Sequence, residues 1–139
     1  MRARAALYIA VGLGSGLGAA ARYLCSVGVV AAFGAGFPWS TLIVNVLGSF
    51  VIGFYATLTE PGGPLFPDPA TRHFVLTGFC GGFTTFSIFS LETLLLAQAG
   101  DLFFAAANIA VSLVLWLMAA WTGHAVAQRI SRLRGSEST

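Results

Sequence analysis

Formal charge is absent from three long stretches of this chain, between Arg22 and Glu60, between Arg72 and Glu92, and between Asp101 and Arg129. Each is long enough to cross the roughly 30 Å hydrocarbon core of a bilayer as a helix rising about 1.5 Å per residue. A further apolar run precedes Arg22. Of the 139 residues 57% are hydrophobic and only 9% charged, which is too little charge to solvate a globular surface of this size. The chain is therefore expected to be an integral membrane protein. A bilayer admits only helices or closed barrels, and no credible strand occurs, so the fold class is all-α.

Charge and cysteine usage exclude several functions. The net charge of +2 is too small to argue for a nucleic-acid partner. Cys25 and Cys80 lie inside apolar spans without Cys-x-x-Cys or Cys/His spacing and read as free thiols. His73 and His124 stand alone near span ends, too isolated for a metal hydrolase, and Asp68 and Asp101 fall in loops rather than forming an intramembrane acid pair. No enzyme is expected. Arg2, Arg4 and the following apolar residues imitate a signal peptide, but Gly12, Gly14, Gly16 and Gly18 form overlapping Gly-x-x-x-Gly pairs, which read as a retained helix-packing face.

The hydropathy pattern predicts one membrane domain over 1–139, with helices at about 5–32, 39–58, 73–98 and 102–127 and a disordered, cytoplasmic-type tail at 130–139. Arg22 falls about 26 Å along the first helix, near the far boundary. In the second, Thr41, Asn45, Ser49 and Gly53 recur every four residues as a narrow polar or small stripe that should face protein. In the fourth, Asn108 and Ser112 repeat that spacing. The stretch from Glu60 to Pro69 is the one obvious loop, rich in Pro and Gly.

The third span holds what a membrane helix should avoid. From Gly78 to Glu92 it carries adjacent glycines, a cluster of hydroxyls and a carboxyl. Gly81 and Gly82 weaken the helix, so a break near mid-depth is predicted, surviving only where protein, water or an ion satisfies the released carbonyls. Phe86 and Phe89 follow it one turn apart. Arg22, Asn45, Phe86, Phe89, Glu92 and Asn108 then gather in one half of the membrane. A continuous route needs a second set in the other half, which an inverted copy would supply, bringing two breaks together with carbonyl oxygens enough for a cation. Each signal also has an ordinary structural explanation: Asn45 as glue between helices, Arg22 snorkelling to headgroups, the phenylalanines as core packing, Glu92 as an interfacial cap.

Phe86-Ser87-Ile88-Phe89-Ser90, preceded by Gly81-Gly82-Phe83-Thr84-Thr85 and followed by Glu92, resembles the signature of the Fluc (CrcB) family of fluoride channels. The likeness extends to the residues before Arg22 and to the run from Thr41 to Ser49. It implies four-helix subunits with a broken third helix in an antiparallel, dual-topology dimer in the inner (plasma) membrane. It further implies two fluoride pores and a structural sodium ion held by backbone oxygens of Gly81 and Thr84. Phe86 and Phe89 would form an aromatic box, Asn45 would donate to the ion, and Ser87 would belong to a polar track beside it. Thr85, Arg22, Asn108, Ser112 and Glu92 complete the expected ion pathway. Ile88 stands where relatives usually have Thr, and Asn108 where Tyr is frequent.

The resulting expectation is a fluoride-selective channel that lets the ion leave the cell passively and limits its toxicity. Fluoride is costly to dehydrate, so a pore must offer hydrogen-bond donors and positive potential. The alternatives are a proton-coupled exporter resembling the small multidrug transporters, with Glu92 as coupling site, and an accessory bundle without a pathway. The arginines crowd one side of the bilayer, which favours a single orientation and leaves a heterodimer with an oppositely inserted paralogue open beside the homodimer.

Overall fold

The computed structural model describes residues 2–34 and 36–136, and every regular element among them is helical. In chain order these are α1 (Arg2–Phe33), α2 (Trp39–Leu58), α3 (Pro69–His73), a π-helical turn (Phe74–Phe79), α4 (Cys80–Phe83), α5 (Phe86–Gln98) and α6 (Leu102–Ser136). Four stretches are long and apolar enough to cross a membrane: Arg4–Phe33, Trp39–Leu58, Pro69–Gln98 and Leu102–Leu133.

Local chemistry explains the ends of these helices. The third span begins at Pro69 rather than 73 because Asp68 caps it: its carboxylate accepts from the backbone N–H of Ala70 at 2.9 Å and of Thr71 at 3.1 Å. Pro69 occupies the first helical position, where its missing N–H costs nothing. After α5 the chain turns through Gly100, whose φ of 86° suits glycine. The Gly100 N–H bonds the Ala97 carbonyl at 3.1 Å and the Asp101 N–H bonds the Leu96 carbonyl at 3.0 Å, a Schellman closure. The expected tail at 130–139 needs correction, since α6 continues as helix through Ser136. Residues 137–139 lie outside the described residues.

Glycine decides which helices touch. A Cβ on Gly14 or Gly18 of α1 would strike the backbone of the third span at Phe74, Phe79 or Phe83, and one on Gly78 or Gly82 would strike α1 near Val11 or Ser15. Two small-residue ridges therefore interlock and bring the backbones together, as membrane helices do without a hydrophobic drive. Gly12 and Gly16 face open space. The same device joins α2 to α6, where Gly53 meets Ala120 and Gly123 meets Phe50 and Phe54. Gly48 leaves room for the Thr84 side chain, so α2 bridges the two helix pairs at the level of the break.

Candidate ion pathway

The third span does break, at Thr84 and Thr85 rather than at the glycines. Gly81 and Gly82 are helical within α4, and Thr84 (φ −81°, ψ 161°) and Thr85 (φ −153°, ψ 120°) are extended. A residue from another helix accounts for the shift. Asn45 of α2 donates through Nδ2 to the Thr85 carbonyl at 2.8 Å and accepts the Thr85 N–H on Oδ1 at 2.7 Å. This two-way pairing satisfies both backbone groups of one residue, which is what an interrupted helix in hydrocarbon requires. Gly82 has a different task, the approach to Ser15 of α1. A π-helical register precedes the break, with the Cys80 N–H bonded to the Val75 carbonyl.

Beyond the break α5 restarts under a cap. Thr85 Oγ1 accepts the Ile88 N–H at 3.2 Å and lies 3.3 Å from Ser87 Oγ. One turn before Asn45 on the same α2 stripe, the Thr41 hydroxyl donates to Glu92 Oε1 at 2.9 Å. Glu92 Oε2 is buried without a partner among the described residues. The pairs Asn45–Thr85 and Thr41–Glu92 fix α5 antiparallel to α2.

The two phenylalanines have unlike surroundings. Their ring centroids are 5.5 Å apart with the planes tilted by 49°. Phe86 is 68% exposed, whereas Phe89 is 6% exposed and meets Trp116 edge to face at 4.9 Å. Asn45, Ser49, Ile52, Thr84, Phe86 and Trp116 are among the residues that line an open hollow of about 180 Å³ beside the break.

Asn108 and Ser112 form a separate buried relay behind Phe89, each 1% exposed. Asn108 Nδ2 donates to Thr93 Oγ1 at 2.8 Å, Thr93 donates to the Phe89 carbonyl at 2.8 Å, and Ser112 donates to Asn108 Oδ1 at 3.3 Å. Arg22 is half-buried on α1 and joins none of these hydrogen bonds among the described residues. Sequence reasoning passed over Thr93 and Trp116. Both had a helical-spacing signal, Thr93 four residues after Phe89 and Trp116 four after Ser112. On the far side of the bundle Thr57 Oγ1 lies 2.7 Å from His124 Nδ1, and Cys25 and Cys80 are free.

Long apolar helices, glycine-mediated packing and a polar break sealed by a neighbouring side chain define a multi-pass, all-helical membrane protein. The chain belongs to the CrcB family: the family described as CrcB-like protein, Camphor Resistance (CrcB), matches residues 9–124. It is not an enzyme. Among similar proteins, Fluoride-specific ion channel FluC 1 of Rhodopseudomonas palustris (strain BisB18) is 52% identical over 136 residues, 98% of this chain and 96% of its own. Fluoride-specific ion channel FluC of Opitutus terrae is 51% identical over 130 residues, 94% of this chain and 98% of its own. Fluoride-specific ion channel FluC of Rhodospirillum rubrum is 49% identical over 117 residues, 84% and 91% of the two chains.

Proposed function

We propose that the chain forms a fluoride-selective channel through which the ion leaves the cell down its electrochemical gradient. The Asn45–Thr85 pairing carries this reading, because it opens the third span in a setting of donors and phenyl edges. Next to it stand the Thr85, Ser87 and Ser49 hydroxyls, while Phe86 and Phe89 offer ring edges that carry the positive part of the aromatic quadrupole. A small, strongly hydrated anion is the ligand such a set replaces water for. The fluoride-channel names of relatives about half identical over nearly the whole chain support the same reading. The proton-coupled exporter finds no support among them, and Glu92 is tied to Thr41.

The working unit in this reading is an antiparallel pair of copies in the plasma membrane, each aromatic box drawing on both. The exposure of Phe86 and the open space beside Gly81 suit a partner surface. A structural sodium fits the donor set at the break. Sodium takes oxygen ligands, and the Gly81 carbonyl has lost its helical donor because the Thr85 N–H pairs with Asn45. Backbone oxygens of Gly81 and Thr84 would hold the ion, which would supply fixed positive charge near the pathway. Arg22 adds charge from α1, and Asn108 and Ser112 extend the polar track through Thr93.

Reconstitution of the purified chain alone into liposomes tests the reading. Fast fluoride efflux without a proton gradient is the expected result. Efflux that requires a proton gradient, or none at all, would overturn it; efflux appearing only with an added paralogue would replace the homodimer by a heterodimer.

A further inference from the structure

Trp116 has an indole N–H that the chain leaves unanswered. Its Nε1 is shut away from solvent and has no hydrogen-bond partner among the described residues. An indole N–H only donates, and a buried donor without an acceptor carries a desolvation penalty that folded proteins avoid. The ring is not remote from the pathway. It helps line the hollow that also holds Asn45, Ser49, Thr84 and Thr85, and it stands edge to face against Phe89 with centroids 4.9 Å apart and planes at 72°.

Position along α6 adds a second constraint. Asn108, Ser112 and Trp116 follow one another at intervals of four and so share one face of the helix. Asn108 and Ser112 are joined to each other and to Thr93, behind Phe89. The hollow at the break and this buried relay are two donor-bearing regions, and among the described residues no hydrogen bond connects them. The two regions approach at one contact: Trp116 lines the hollow, its ring meets the Phe89 ring, and the Phe89 carbonyl accepts from Thr93 of the relay.

We propose that the ion crosses between Trp116 and Phe89, and that the Trp116 N–H donates to it there, which makes Trp116 a selectivity-determining residue of the pathway. The proposal rests on the fluoride-channel reading. It gives the unpaired donor its acceptor, and it explains why that donor is hidden while the two rings are in contact. A group that only donates disfavours cations. A slot formed by two packed rings must part for each ion, so it disfavours anions wider than fluoride.

Trp116→Phe keeps an aromatic ring against Phe89 and removes the N–H. Fluoride efflux from proteoliposomes is expected to fall at least about tenfold per assembled channel, the factor expected for losing one hydrogen bond to a charged group. An unchanged rate would overturn the proposal. A second measurement leaves Trp116 itself intact. In the Trp39→Phe/Trp121→Phe protein, Trp116 is the one tryptophan remaining of three, and its emission should change saturably with fluoride and not with equal chloride. Emission indifferent to fluoride would contradict the assignment. Wild-type vesicles that pass no fluoride would remove the channel reading itself, whereas a conducting wild type with an equally fast Trp116→Phe removes only the role of Trp116.

Discussion

Asn45 and Thr85 exchange two hydrogen bonds, of 2.8 and 2.7 Å, across forty residues of sequence. The side-chain amide of one helix thereby replaces the helical acceptor that the Thr85 N–H has lost and adds a donor to its carbonyl. Replacing Asn45 by Leu keeps the side-chain bulk, leaves the Thr85 N–H unpaired in a buried setting and removes one of the two donors to the Thr85 carbonyl, which as the N-cap of α5 keeps its helical one. The orphaned N–H should cost about 1–3 kcal/mol. Thermal unfolding in detergent is expected to show a lower midpoint for Asn45→Leu than for wild type.

Phe86 and Phe89 should separate when flux and stability are measured together. Both Phe86→Ile and Phe89→Ile are expected to abolish fluoride efflux while leaving the proposed dimer assembled. Phe89→Ile alone should also lower subunit stability, by about 1–2 kcal/mol, because it removes a buried ring from its contact with Trp116. Efflux and melting curves on the same preparations check both halves.

The interlocking glycines give a paired prediction. Gly82→Ala places a methyl group against the Ser15 backbone and should destabilise the α1 contact by about 1–3 kcal/mol. Gly16→Ala meets nothing within 4 Å and should be neutral or mildly stabilising, by up to about 1 kcal/mol, as alanine favours the helix interior. Comparison of the two melting midpoints in one detergent is sufficient.

Acid should loosen the start of the third span. The Thr71 hydroxyl, with backbone N–H groups beside it, holds the Asp68 carboxyl below its ordinary value of 3.8. A carboxyl whose folded pKa is depressed contributes stability that is full above the unfolded pKa and is lost as pH falls through the folded one. Hydrogen exchange at Ala70 and Thr71 should therefore be slow at neutral pH and speed up, relative to Asp68→Ala, only below about pH 4.

Much of this arrangement was legible in the chain because it rests on local chemistry. Charge-free runs marked the spans, the i, i+4 stripe on α2 singled out Thr41 and Asn45, and the two Gly-x-x-x-Gly pairs of α1 announced a close helix contact without saying that Gly14 and Gly18, not Gly12 and Gly16, would make it. The position of the break was not legible. Glycine is the local signal for a weak helix, but the break is set by a hydrogen-bond partner forty residues away, and Gly82 serves packing against α1 instead. The unlike surroundings of Phe86 and Phe89 were equally hidden, since helical spacing alone cannot say which ring meets Trp116. Asp68-Pro69 carried a readable start signal for the third span that the hydropathy boundary at 73 overrode.

Fluoride efflux from vesicles holding Asn45→Asp, measured beside wild type at matched protein density, tests the central claim most directly. Aspartate preserves the shape of Asn45, loses the donor to the Thr85 carbonyl and sets a negative charge where the anion must pass. Rapid efflux from wild type with none from Asn45→Asp is the predicted result. Efflux from Asn45→Asp at the wild-type rate would contradict it and take the break at Thr85 out of the ion's route.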